Sequence, residues 1–229
     1  MKINKWKVSV HAAAWLLAGW LLFDYFTGNL TVNPIQAATQ RLGKYALFFL
    51  VASLACTPLN TVFGLRQALS VRRLLGLYAF MFAALHFSVF IGLDYRLDFR
   101  LLLEDIGTKR YVLVGLGALT ILTAMAITSF RWWMKQLGKN WKRLHRLIYL
   151  AAILVIVHYA WAVKGDIFRL RGDIWQPLLF GMMVLLFLVV RIPFVRRAIK
   201  PARFPAPGRL KLLFRGDKSH PKPTAIDQD

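Results

Sequence analysis

Apolar residues in this chain do not alternate with polar ones at the short periods of a water-soluble core. They come in long blocks separated by short polar segments. A membrane-crossing helix needs about 20 predominantly apolar residues. Six stretches reach or approach that length: Val10–Phe26, Tyr45–Leu65, Leu74–Leu93, Tyr111–Ser129, Leu147–Val163 and Ile174–Val190. The fourth, YVLVGLGALTILTAMAITS, holds no ionisable side chain except its tyrosine phenol. The sixth carries Pro177 near its start, where a proline removes no needed hydrogen bond. Pro58 interrupts the second, which predicts an end near Cys56 followed by a short cap. The first block follows Lys2, Lys5 and Lys7 in the manner of a signal peptide. Its length, its internal His11 and Asp24, and the lack of a small-x-small site directly after it favour a retained helix. No internal repeat, phosphate-binding glycine motif or catalytic triad stands out. The pattern predicts an all-α, polytopic membrane protein. Its six-helix bundle occupies residues 1–195, and a basic, flexible cytoplasmic tail follows at 196–229.

Charge agrees with that reading and orients it. The chain has 31 Lys+Arg against 10 Asp+Glu, a formal charge of +21, with 58% hydrophobic residues and a mean hydropathy of +0.50. A nucleic-acid binder this basic presents its cations on a water-facing surface with aromatics to stack bases. Here the cations lie between and after the apolar blocks, so nucleic acid is set aside. With the N-terminus inside, 22 of the 31 basic residues fall on the inner side. The positive-inside rule then places both termini in the cytoplasm, with the tail resting on anionic membrane lipid. The single cysteine, Cys56, lies in an apolar run. It excludes an internal disulfide, a thiolate zinc site and a cysteine-held iron–sulfur cluster.

The histidines carry the chemistry. Of five, His220 sits in the polar tail, while His11, His86, His145 and His158 lie in or at the ends of apolar blocks. An ionisable side chain at membrane depth is costly and marks a functional site by default. The third helix enters from the inside near Leu74, so His86 lies about 18 Å along it, and His158 about 21 Å along the fifth. Two imidazoles from parallel helices at one level, in the outer half of the bilayer, meet the requirement for a six-coordinate b-type haem. Such an iron has no open position and passes electrons. His145 lies about 20 Å back along its helix, near the inner surface. Its counterpart on the third helix falls at Arg72 or Arg73, which cannot ligate iron. That end is therefore expected to hold a second haem with another ligand, or a flavin or quinone head group. His11 is the other histidine at that level and a weaker candidate ligand. Arg72, Arg73, Arg143 and Arg146 are suited to haem propionates or a flavin phosphate, and equally to plain positive-inside flanks.

The segments RRLLGLYAFMFAALHFSVF (Arg72–Phe90), LLLEDIGTKRYVLVG (Leu101–Gly115) and LGKNWKRLHRLIYLAAILVIVHYAW (Leu137–Trp161) resemble the MsrQ (YedZ) family. This family supplies the haem-binding membrane subunit of the bacterial MsrPQ methionine sulfoxide reductase system. The likeness extends from about Lys7 to Val195, and the six-helix pattern is shared with the wider ferric-reductase-like transmembrane domains. The resemblance implies haem b and FMN as cofactors, with His86, His145 and His158 matching the family's haem-associated histidines. It implies electrons arriving from the quinone pool or a cytosolic flavin reductase. They leave for MsrP, a periplasmic molybdopterin enzyme that repairs oxidised methionines, and the chain sits in the bacterial inner membrane as the electron-transfer subunit of an oxidoreductase complex. The segment Asp94–Arg110 is either a docking surface for that partner or an ordinary amphipathic connector. Two other functions compete. A ferric reductase for external iron chelates is expected to bring its own flavin and nicotinamide domain, for which the tail leaves no room. A small transporter is expected to have broken helices near the midplane, whereas the third and fifth stretches are unbroken there.

Overall fold

The computed structural model describes residues 4–163 and 175–199. Helix α1 runs Lys5–Phe26, α2 Pro34–Phe63 and α3 Arg66–Val89, the last prolonged by a π-helical stretch, Phe90–Asp94. Then come α4 (Phe99–Thr108), α5 (Arg110–Ile127), the short α6 (Arg131–Leu137) and α7 (Lys139–Leu144), and a 3₁₀ turn at His145–Leu147. Helices α8 (Ile148–Ala162), α9 (Trp175–Val189) and α10 (Pro193–Ile199) complete the order, with no strand among the described residues. Five helical segments are long and apolar enough to cross a membrane: Lys5–Phe26, Pro34–Phe63, Arg66–Asp94, Arg110–Ile127 and Lys139–Ala162. The sixth expected stretch appears as α9, a shorter apolar helix, and its first residue, Ile174, lies outside the described residues. The protein is thus an all-α, multi-pass membrane protein. Helix α10 straddles the expected boundary at 195/196, and the rest of the tail, 200–229, is outside the described residues.

Local chemistry sets the ends of these helices. Asn4 caps α1 by accepting from the Trp6 amide, and Asn33 caps α2 through the Gln36 amide with Pro34 in the first turn. Gly64 closes α2 at φ +71°, a left-handed conformation that glycine adopts without steric cost. Asp98 accepts from the amides of Arg100 and Leu101 and starts α4, so the connector expected at Asp94–Arg110 contains a helix.

Helices α2 and α3 form one tightly packed hairpin and α5 and α8 a second pair, with α1 against α3 and α9 against α8 and α2. Between α2 and α3 the fully buried Phe49 and Phe82 stack at 5.4 Å and 10°, alongside Leu50 and Leu54. Outward faces stay apolar: on α1, Leu16 is 71% and Trp20 66% exposed. In water that face would be an aggregation liability, whereas in hydrocarbon it is the solvent-facing side. Near one end of α1, buried Asp24 pairs with Arg41 of α2 and accepts from the Trp20 indole at 3.0 Å.

Helix α2 does not stop at Cys56. It continues through Pro58 to Phe63, against the expected break. Proline has no N–H to give the carbonyl four residues earlier, and here that carbonyl belongs to Leu54. Arg191, beyond the end of α9, supplies the missing donor, with Nη2 2.6 Å from the Leu54 oxygen. Its Nη1 donates to the Tyr149 hydroxyl at 3.0 Å, and the guanidinium lies 5.2 Å from the centre of that ring. Burial lowers the Arg191 pKa, opposed by the Tyr149 hydrogen bond. One cation therefore ties α2, α8 and the end of α9 together at a proline-freed carbonyl. Arg191→Leu is expected to cost about 1.5–3 kcal/mol, the range for hydrogen bonds to charged groups, in unfolding of the detergent-solubilised protein. The loss is expected to shrink in a Pro58→Ala background, where the restored N–H satisfies Leu54. Equal losses in both backgrounds would refute the compensation.

Candidate functional site

His86 stands on the last turn of α3 and His158 on the last turns of α8. Their ring centroids are 6.1 Å apart, with planes at 87°. The two imidazoles therefore occupy one level, as the helix arithmetic expects. Each is anchored in the same way. His86 Nδ1 lies 2.7 Å from the Thr39 carbonyl oxygen of α2, and His158 Nδ1 lies 2.7 Å from the Tyr111 carbonyl oxygen of α5. A carbonyl only accepts, so Nδ1 carries the hydrogen in both rings, and the lone pair of each neutral imidazole resides on Nε2. Metal-bound histidines are held in this way, with the non-ligating N–H donated to a carbonyl or carboxylate.

Both rings line a cavity of about 250 Å³. Its walls are mainly apolar, including Leu50, Ala83, Phe87, Leu119 and Val155, with Gln36, Gln40 and Asp94 also on the lining. Two glycines make the close approach of the rings possible. A Cβ on Gly43 would stand 3.1 Å from His86 Nδ1, and one on Gly115 only 2.6 Å from His158 Nδ1. The donor set, two Nε2 lone pairs over an apolar cavity, fits a planar metal cofactor ligated on both faces. Among the described residues no cluster of three or more His, Cys, Asp or Glu side chains offers a different metal site.

His145 belongs elsewhere. It opens the 3₁₀ turn within the Lys139–Ala162 segment, ahead of α8, with Nδ1 3.1 Å from the Trp141 carbonyl and its ring 4.1 Å from that indole. A second cavity, of about 370 Å³, is lined by His145, Arg72, Arg73, Lys142, Arg146 and Trp141, together with Ser53 and Tyr149. The structure thus brings Arg72, Arg73 and His145 together, apart from His86 and His158. No acidic side chain is among the residues lining it, so the cavity favours an anionic occupant. Arg143 does not line it. His11 lines neither cavity and instead meets the Tyr78 hydroxyl through Nδ1 at 2.6 Å. Leu122, buried on α5, lines both cavities and stands between the two groups of residues.

Thr39, Gly43, Tyr111 and Gly115 escape a reading by side-chain type, because two contribute a carbonyl and two contribute the lack of a Cβ. The available signal is positional: each histidine lies 47 residues after its carbonyl partner, with the glycine one helical turn beyond that partner. A repeat therefore exists at the level of backbone positions, where no repeat of residue types is visible.

The description "Ferric reductase like transmembrane component" matches residues 42–156, which include His86 and His145 and end two residues before His158. Among curated relatives, the protein-methionine-sulfoxide reductase heme-binding subunit MsrQ of Rhodospirillum rubrum is 40% identical over 83% of this chain and 89% of its own. The protein of the same name from Herminiimonas arsenicoxydans is 38% identical over 81% of this chain and 84% of its own. That of Bordetella pertussis is 36% identical over 72% and 77%. With likeness of this extent over the segments that carry both cavities, the chain belongs to the MsrQ family of ferric-reductase-like membrane subunits.

Proposed function

We propose that this chain is the haem b electron-transfer subunit of a methionine sulfoxide reductase system. In this reading it takes electrons from the quinone pool or a cytosolic flavin reductase and delivers them to a periplasmic molybdopterin reductase, MsrP, for repair of oxidised proteins. The observation that carries the reading is the facing pair His86 and His158, each with Nδ1–H donated to a helix carbonyl and Nε2 left as the lone-pair atom. The relatives' printed name, a heme-binding subunit, agrees with that donor set.

These two residues would hold the iron of a haem, which would supply one-electron chemistry. The chain's part is positioning and exclusion. The Thr39 and Tyr111 carbonyls fix tautomer and orientation, and the apolar walls keep water from the porphyrin faces. The concentration of cations near Arg72, Arg73, Lys142 and Arg146 supports a cytoplasmic placement for that end and both termini, in a bacterial inner membrane. The His86–His158 pair then lies toward the periplasmic side, where a periplasmic acceptor is reached. The basic cavity is the place for a second redox centre bearing acidic groups: a haem with propionates near His145, or FMN with its phosphate. Leu122 lines both cavities, so the two sites adjoin one another.

His86→Ala and His158→Ala are each expected to abolish the same sharp reduced α band in detergent-purified protein, while His145→Ala spares it. Full haem content in both of the first two variants would end the pairing argument. Arg72→Gln/Arg73→Gln is expected to weaken retention of the second cofactor by at least about tenfold, from lost charge-assisted hydrogen bonds, as read by flavin and haem content per polypeptide. Reoxidation of the reduced protein by a purified periplasmic molybdoenzyme, and not by ferric chelate, separates this reading from a ferric reductase.

A further inference from the structure

We propose that Gly43 and Gly115 are positioning residues for the two imidazoles. Each holds open the space in which a histidine lies across a helix backbone and takes the second lone pair of a carbonyl already used in that helix. The inference rests on the haem reading of His86 and His158 and goes beyond it, because neither glycine touches the metal.

The argument begins with helix geometry. Thr39 and Gly43 are four residues apart in α2, as are Tyr111 and Gly115 in α5. In each pair the glycine amide is the helical partner of the earlier carbonyl. That carbonyl has a second lone pair, and the imidazole N–H takes it at 2.7 Å in both places. A Cβ at the later position tilts toward the helix N-terminus, over the earlier carbonyl, into the path of the incoming ring. It would lie 3.1 Å from Nδ1 and 3.3 Å from Cε1 of His86, and 2.6 Å and 2.7 Å from the same atoms of His158. Glycine is thus required for the approach, while the anchor itself is a backbone carbonyl, supplied by Thr39 in one cradle and Tyr111 in the other. The same construction occurs in both helix pairs, and between them the two cradles set the near-perpendicular planes of 87°.

The cradle acts on the metal through the ligand. The Nδ1–H···O=C bond fixes the rotation of each imidazole and raises its basicity, and losing such support typically costs about 10- to 100-fold in metal affinity. The two sites differ in tolerance. At Gly43 the ring need yield only a few tenths of an ångström, whereas at Gly115 an added methyl would force the ring or the helix to shift.

The test uses the full chain, purified with its haem, and compares Gly43→Ala and Gly115→Ala with Gly117→Ala. Gly117 sits on the same helix but a Cβ there meets only Leu154, at 3.9 Å. Gly115→Ala is expected to lose haem, with about 10- to 100-fold weaker retention. Gly43→Ala is expected to keep haem with a displaced midpoint potential and an altered low-spin EPR signal. Gly117→Ala is expected to match wild type. Should Gly115→Ala fail to accumulate in the membrane, the potential and EPR signal of Gly43→Ala decide. Wild-type haem content, potential and EPR signal in Gly43→Ala would overturn the proposal. A wild-type protein without haem would instead overturn the haem reading on which it rests.

Discussion

A polar group inside a bilayer has no water to fall back on, so each must find its partner within the protein. In this bundle the partner is repeatedly a helix carbonyl on a neighbouring element. His86 uses Thr39, His158 uses Tyr111, Arg191 uses Leu54, Ser53 uses the Arg72 carbonyl, and the Trp141 indole uses Thr128. A backbone carbonyl is a good anchor because its place is set by the helix rather than by a rotamer. Each tie therefore fixes a side chain and a helix contact together.

The ties also account for the separation of the chemistry into two regions. The α2–α3 and α5–α8 pairs each bring a histidine from the second helix onto the backbone of the first, and α3 meets α5 to close the bundle around the rings. Toward the other end of the same helices, the carbonyl ties of Ser53 and Trp141 border a cavity rich in cations. One region offers two lone pairs among apolar walls, and the other offers positive charge beside one histidine. These are different binding chemistries, lone-pair donation in one and positive charge in the other.

Pro58 and the two glycines illustrate one rule from opposite sides. Proline removes a donor and leaves a carbonyl in need of one, which Arg191 supplies. Glycine leaves the helical donor in place and removes the atom that would bar a second one. In both cases a foreign side chain gains access to the backbone of α2 or α5, and the helix continues without a break.

The order of apolar blocks, the excess of cations and the spacing of His86 and His158 from their helix starts were enough to specify a multi-pass α-helical protein with two imidazoles at one depth. Hydrophobic length and helical rise are local properties, so residue order alone determined them. It misplaced the end of α2, because whether a helix survives a proline depends on Arg191, far along the chain. It put His145 and His158 on one helical segment, which runs Lys139–Ala162, but did not show the 3₁₀ turn that His145 opens within it. It also passed over Thr39, Gly43, Tyr111 and Gly115, whose part is played by a carbonyl or by a missing Cβ and so leaves no trace in side-chain chemistry. Which lone pair meets which N–H, and where a methyl group would be in the way, was decided only when α2 packed on α3 and α5 on α8, because such contacts join positions with no local relation in the chain.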